Sequence, residues 1–316
     1  MTLADIKVQK TLEENFKALY PTLTVEGEES KESTQTVESA LSADSITDGI
    51  KSYITKEFLN EKHAARTEWI RDQLSKTYES DEVSVDPWET FNTKDAVVWI
   101  DPLDGTSDFV KGNFPAVTVL IGLSINGKSR LGIVHNPFSE EDQTVGKTVF
   151  GCAEFGTFKI PYNKESSGEE LLAREITQLE HFDHLAEPAE DHKVRVAVTL
   201  SHFSDTIKQI IETIEPVEIV RIGGAGNKCC HVSLGTVDSY IHPSPGLKNW
   251  DLCAPESLIK GMGGYSTDLF QQRLTYNLNE DVKLKGLILG KNPPMYNMIC
   301  RRLGDLLKNI TQTVKL

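Results

Sequence analysis

Two aspartates three residues apart, Asp101 and Asp104, lie in the run Asp101-Pro102-Leu103-Asp104-Gly105-Thr106-Ser107, directly after the apolar run Ala96-Val97-Val98-Trp99-Ile100. An uninterrupted apolar run of that length reads as a buried strand, so this strand carries two carboxylates to its tip. Asp, Pro and Gly also favour turns, and taken alone the segment fits a simple turn as well. Its company points to chemistry. Glu28 and Glu29 are adjacent in Gly27-Glu28-Glu29-Ser30 at the end of a short strand, and Asp251 follows Trp250 where a loop meets the next element. Hard divalent cations such as magnesium take oxygen ligands, typically a few carboxylates with waters and substrate phosphate. Carboxylates converging from several elements would build such a site, and without a cation they would repel one another and raise their own pKa values.

The elements that position these residues are partly readable. Val8, Leu12, Phe16 and Leu19 recur at helical spacing over 3–19, and Pro21 marks the stop. A strand over 23–25 runs into Glu28 and Glu29. Residues 31–94 are polar and helix-prone, with amphipathic runs at Ile46, Ile50, Ile54 and Phe58 and around Trp69, Ile70 and Leu74, and read as an insertion that forms part of a lid. Strands are expected over 116–125 and 129–135, joined by Asn126-Gly127, a dipeptide favoured in two-residue hairpins. After a polar stretch from about 164 to 192, strands at 194–199, 217–222 and 239–241 alternate with helices, the first of them over 207–214. That pattern implies an α+β N-terminal half and an α/β C-terminal half.

With 316 residues the chain can hold two cores, read here as residues 1–165 with the insertion 31–94 and residues 190–316, with the active site between them. No apolar run is long enough to span a membrane and no signal pattern opens the chain, so a cytoplasmic protein without a membrane partner is expected. Cys152, Cys229, Cys230, Cys253 and Cys300 contain no CxxC pair and read as structural thiols. The formal net charge of −14 opposes binding to nucleic acid polymers. An anionic substrate could approach a carboxylate-lined site only with cations in between.

A nucleophile motif of the haloacid dehalogenase phosphatases is excluded by spacing, since its acids stand two residues apart. The three segments Gly27-Glu28-Glu29-Ser30, Trp99-Ile100-Asp101-Pro102-Leu103-Asp104-Gly105-Thr106 and Trp250-Asp251-Leu252-Cys253-Ala254-Pro255-Glu256 instead resemble, in order, the signatures of the lithium-sensitive, magnesium-dependent phosphatases. That superfamily holds inositol monophosphatase, inositol polyphosphate 1-phosphatase and 3'(2'),5'-bisphosphate nucleotidase. The resemblance implies a layered αβαβα sandwich of the kind shared with fructose-1,6-bisphosphatase. It implies two or three Mg2+ ions held by Glu28, Glu29, Asp101, the Leu103 carbonyl, Asp104 and Asp251, and inhibition by Li+. Thr2-Leu3-Ala4-Asp5 resembles the family segment whose aspartate works with the threonine of Asp-Gly-Thr, so Asp5 and Thr106 would activate water. Asp5 also reads as a helix N-cap residue. Gly105, Thr106 and Ser107 would open a short helix with amides suited to phosphoryl oxygens.

Gly223-Gly224-Ala225-Gly226-Asn227-Lys228 fits neither a Walker pattern nor a dinucleotide fingerprint. With Thr199-Leu200-Ser201-His202 and Ser244-Pro245-Gly246-Leu247-Lys248 it resembles the nucleotide-holding segments of the bisphosphate nucleotidases. Thr199, His202, Gly224 and Lys228 would then hold the nucleotide and its second phosphate, with Asp251 also touching substrate. The Thr-Leu-Ala-Asp opening and the insertion resemble inositol polyphosphate 1-phosphatase, so 3'-phosphoadenosine 5'-phosphate and inositol 1,4-bisphosphate are both candidate substrates for a monomeric enzyme. A sugar bisphosphatase and a catalytically silent inositol phosphate or nucleotide-binding module are the alternatives.

Overall fold

In a computed structural model, residues 1–37, 92–138, 145–154, 156–163, 176–199, 204–278 and 282–313 are described. The runs at Ile46–Phe58 and Trp69–Leu74, and His202, lie outside them.

The first sheet has seven strands in the order β1 to β7: Thr24–Gly27, Ala96–Asp104, Thr118–Ile125, Lys128–Asn136, Val145–Cys152, Gly156–Asn163 and Thr177–Gln178. All neighbours are antiparallel except β1 and β2. The second sheet has the order β11-β12-β10-β8-β9, from Tyr265–Thr267, Leu287–Gly290, Ser239–His242, Val194–Val198 and Val217–Arg221. Strands β5 and β6 carry no signal that the sequence reading used. Ala116, where a strand is expected to begin, instead ends a turn of 3-10 helix, Phe114–Ala116, and β3 starts at Thr118.

Side-chain alternation on β2 explains the layering, because successive residues of a strand point to opposite faces. Val98 and Ile100 face outward onto Leu12 and Phe16 of α1 (Leu3–Leu19), while Val97 and Trp99 face a central core. That core also takes Ala197, Tyr240 and Leu289 of the second sheet and Leu252, Cys253 and Ile259 of α6 (Asn249–Gly261). On the far face of the second sheet, Val194, Val196 and Ile288 pack against α4 (Asp205–Thr213) and α7 (Pro293–Thr313). Between the sheets α6 is joined by α5 (Ala225–Ser233), which completes five alternating layers. Two short helices, α2 (Lys31–Thr34) and α3 (Thr106–Val110), follow the acidic segments of β1 and β2.

Two glycines set the height of α6 above the first sheet. Gly122 and Gly132 are cross-strand partners on β3 and β4. A methyl group at Gly122 would stand 2.6 Å from the Ala254 nitrogen, and one at Gly132 would collide with the Ala254 carbonyl oxygen. Helix and sheet backbones therefore touch, and the first turn of α6, with Asp251, comes down beside the tip of β2.

Candidate active site

The parallel pairing of β1 and β2 brings Glu28 and Asp101 to the same end of the sheet, since Gly27 stands opposite Ile100 and the Glu28 N–H donates to the Ile100 carbonyl at 3.1 Å. An antiparallel pair would have put them at opposite ends. Asp101 is 2% exposed and its Oδ1 accepts from the Leu103 N–H at 3.0 Å, which curls the chain and returns Asp104 to the same pocket. Asp104 reaches across to α5: its Oδ1 accepts from the Ala225 N–H at 2.9 Å and its Oδ2 from the Gly226 N–H at 2.8 Å and the Thr118 hydroxyl at 3.0 Å. This carboxylate caps the positive end of a helix from the other half of the chain. Asp251 caps its own helix, with Oδ2 accepting from the Lys248 N–H at 2.7 Å.

These groups also bear on one another electrostatically. Burial first, then Asp104, Asp251 and Glu28, push the Asp101 carboxyl well above the ordinary carboxylate range. Asp251 is pushed up to about 7 by burial and by Asp104, against the pull of the Lys248 N–H. Glu28, at the rim, is raised by partial loss of water; the Lys248 ammonium pulls it back, and Asp5 and Asp104 add to the rise. Glu29 is raised by burial, then by Asp5 and Glu28. Among the described residues no three of these acids close into a preformed metal cage. Their chemistry nevertheless fits a hard divalent cation: the donors are all oxygens, the described residues give these carboxylates no ion pair, and Asp104 Oδ1 keeps a lone pair beside the Ala225 N–H.

Asp5 is fully buried. It caps α1 by accepting from the Thr2 N–H, and its other oxygen lies 3.3 Å from the Thr106 hydroxyl, which is also 3.0 Å from the Leu103 carbonyl. The N-cap of α1 is Thr2 and not Asp5, which stands three residues on as the acid of the capping box and so can cap the helix while facing Thr106. Gly105 at φ +85° precedes α3, and Ser107 is exposed on its first turn. Gly224, at φ +71°, faces this turn: a methyl group there would stand 2.7 Å from Asp104 Oδ2 and from the Ala116 carbonyl. Lys228 sits behind the glycine loop, 4% exposed, its ammonium donating to the Gly224 carbonyl at 2.6 Å. Thr199 is half-buried at the end of β8.

The sequence reading missed Gln9. Leu12 and Phe16 of the expected apolar stripe do face the sheet, yet the most buried side chains of α1 are Asp5, Gln9 and Glu13. The Gln9 amide clamps Glu29, accepting from its N–H and donating to its carbonyl, both at 2.8 Å, and a third bond of 2.8 Å runs to Glu13. Polar residues at i, i+4 and i+8 beside the apolar stripe were the available signal. The other omission is Lys248, whose ammonium bears on Glu28 and Glu29.

The chain is 31% identical over 194 residues to the 3'(2'),5'-bisphosphate nucleotidase 1 of Mus musculus, a stretch covering 60% of this chain and 55% of that protein. It thus spans little more than half the length of that relative. In fold it is similar to CysQ from Bacteroides thetaiotaomicron, a bacterial member of the inositol monophosphatase family (TM-score 0.50, 23% identity, 63% of this chain and 71% of that one). It is also similar to staphylococcal inositol monophosphatase-1 in a complex described as inhibitory and soaked in 100 mM LiCl (TM-score 0.57, 13% identity, 96% and 81%). A family model matches residues 1–304, and with the acidic signatures now gathered at one sheet end, the chain belongs to the inositol monophosphatase family.

Proposed function

We propose that the protein is a magnesium-dependent, lithium-inhibited phosphomonoesterase that removes the 3'-phosphate of 3'-phosphoadenosine 5'-phosphate or the 1-phosphate of inositol 1,4-bisphosphate. The observation that carries this reading is the meeting of four carboxylates from β1, β2 and α6 beside the Thr106–Asp5 pair. Glu28, Asp101, Asp104, Asp251 and the Leu103 carbonyl would hold the cations, with Glu29 acting through water. When bound, magnesium would offset the charge of the phosphoryl and leaving oxygens and acidify water.

The protein's own residues handle the proton. A threonine hydroxyl has one hydrogen and gives it to one acceptor at a time. When Thr106 donates to Asp5, its lone pair is available to a water in the pocket. That water's oxygen bonds to phosphorus as its proton passes to Thr106 and the Thr106 proton passes to Asp5. The bond from phosphorus to the ester oxygen breaks with its electron pair going to that oxygen, which takes a proton from solvent water to become the free hydroxyl; phosphate is released and Asp5 returns its proton to solvent.

Residues 1–165 would supply most metal ligands and residues 190–316 the substrate-holding loop, with Asp251 crossing from one to the other. The bisphosphate nucleotidase relative supports the nucleotide as substrate. Gly224 would let it approach Asp104, and Lys228 would lend charge from behind the loop while fixing it through the Gly224 carbonyl. Thr199 and His202 would complete the grip, and Gly105, Thr106 and Ser107 would meet the phosphate undergoing hydrolysis. The test is phosphate release from the two substrates side by side, with and without magnesium and lithium. Turnover of neither substrate in magnesium would overturn the proposal, and lithium-insensitive turnover would overturn its lithium clause. Preference for the inositol compound would reassign the glycine loop and move selectivity to residues 31–94.

A further inference from the structure

A carboxylate that the proposed chemistry does not use stands at the seam between α3 and the glycine loop. Asp108 lies two residues after Thr106 and is half-buried. Its main chain is fixed at both ends: its N–H donates to the Gly105 carbonyl at 2.8 Å, and its carbonyl accepts from the Asn113 N–H at 2.9 Å. The Asn113 side chain then holds one carboxylate oxygen, its Nδ2 donating to Asp108 Oδ1 at 3.0 Å. The other oxygen faces the buried Gly223, where a methyl group would stand 2.6 Å from Asp108 Oδ2 and 2.7 Å from the Ala116 methyl. Elements from the two halves of the chain thus close around this side chain, and the glycine leaves room for it.

The neighbouring acids are occupied. Asp104 caps α5, Asp251 caps α6 and Asp5 faces the Thr106 hydroxyl. Among the described residues, Asp108 Oδ2 accepts no hydrogen bond and the carboxylate enters no ion pair. A carboxylate accepts hydrogen bonds and offers none, so it can recognise a hydroxyl or an amine and repels a phosphate. Because Asn113 fixes its direction, a hydroxyl that reaches Oδ2 gains a charge-assisted bond, and a ligand without one leaves that oxygen unpaired. Its position suits such a role: α3 opens with the amides assigned above to the phosphate, and the glycine loop opposite is assigned to the substrate. Both candidate substrates carry the reacting phosphate on a ring carbon next to one that bears a free hydroxyl.

On the phosphomonoesterase reading, which this assignment requires, we propose that Asp108 reads the hydroxyl beside the ester undergoing hydrolysis, with Oδ2 accepting from it. The substrate class is then a phosphate monoester flanked by a free hydroxyl, in preference to a deoxy compound or to one phosphorylated at both positions. Asp108 acts here as a specificity residue, with no cation to hold and no proton to move.

The test compares kcat/KM in magnesium for 3'-phosphoadenosine 5'-phosphate and its 2'-deoxy counterpart, in wild type, Asp108→Ala and Asp108→Asn. The matching inositol set is inositol 1,4-bisphosphate with its 2-deoxy and 6-deoxy analogues. Wild type should favour the hydroxyl compound by about 10- to 100-fold, and Asp108→Ala should reduce that preference to about 3-fold or less. The loss should fall on the hydroxyl compound and spare the deoxy one. Removing the hydroxyl also alters the leaving oxygen, but equally for every variant, so the change in preference isolates the side chain. If Asp108 served only to position the glycine loop, its loss would slow both compounds by the same factor. That result, or wild type that does not distinguish the members of the set it turns over, overturns the specificity role and leaves the phosphatase reading intact. Wild type that turns over no member of either set overturns both. Asp108→Asn, whose amide offers one acceptor oxygen instead of two, should also lose most of the preference and decides the matter if the alanine variant fails to fold.

Discussion

Buried carboxylates occur in two regions of this molecule and are treated in opposite ways. Asp238, at the start of β10, is 0% exposed and ringed by donors. Arg195 contributes its N–H at 2.9 Å and its guanidinium at 2.9 and 3.3 Å, Lys291 its ammonium at 2.7 Å, and His192 a ring nitrogen at 3.3 Å. Burial alone would raise this carboxyl, yet Arg195 and Lys291 hold it well below the ordinary range. Asp101 and Asp251 are also withdrawn from water, and there the nearest strong charges are other carboxylates, so both are raised. A buried charge is retained only when it is compensated. For Asp238 the chain supplies the compensation, which marks a structural node. At the tip of β2 no arginine or lysine ion-pairs with Asp101 or Asp251 among the described residues, in keeping with the cation site proposed there.

The largest effect expected from this difference is on turnover. Asp104→Asn should bring phosphate release below detection while circular dichroism stays near wild type; full activity in that variant would break the assignment. Asp238→Ala should do the reverse, lowering unfolding free energy by about 3–5 kcal/mol in urea titrations, because Arg195 and Lys291 lose their partner, with turnover per folded molecule preserved. Next in size is ligand linkage. Magnesium at about 100 to 1,000 times its dissociation constant should stabilise wild type by roughly 3–4 kcal/mol, and Asp238→Ala by the same increment, whereas Asp251→Asn should lose most of it.

The pH dependence of metal-free stability should separate the two regions further, with a smaller effect. Asp251 has a folded pKa of about 7, above its ordinary value of 3.8, so the folded state holds the extra proton between those values. Its contribution therefore grows as pH falls through about 7 and is fully present below 3.8. Asp238 lies below 3.8, so its contribution is fully present above that value and is lost as pH falls through its folded pKa. Thermal melts should thus rise and then fall on acidification. Asp251→Asn should flatten the upper limb, and Asp238→Asn the lower one.

Much of the site was legible because its acids sit in short runs at the ends of apolar segments. Asp101 and Asp104 follow an unbroken buried strand, and Glu28 and Glu29 end another. The layers were legible in the same way, from alternation in the N-terminal half and from strand and helix succession in the C-terminal half. What escaped was polar structure inside an apolar pattern. Gln9 reads as a surface residue of an amphipathic helix, and only contact with the backbone of Glu29 shows it to be a clamp. The edge-side strands β5 and β6 are mixed in polarity and half-buried, so no period of two stands out.

The sequence by itself singled out the acidic residues as candidates for metal binding and most of the strands and helices that carry them, because those properties depend on residue type and local spacing. Only the tertiary structure decided that β1 and β2 run parallel and so present Glu28 and Asp101 together. It also decided that Asp104 caps α5 from the opposite half of the chain, and that one buried lysine is tied to a loop while another stands over an aromatic ring. Those outcomes depend on sheet pairing and on helix packing against Gly122 and Gly132, interactions between residues far apart in the chain, and no local spacing encodes them.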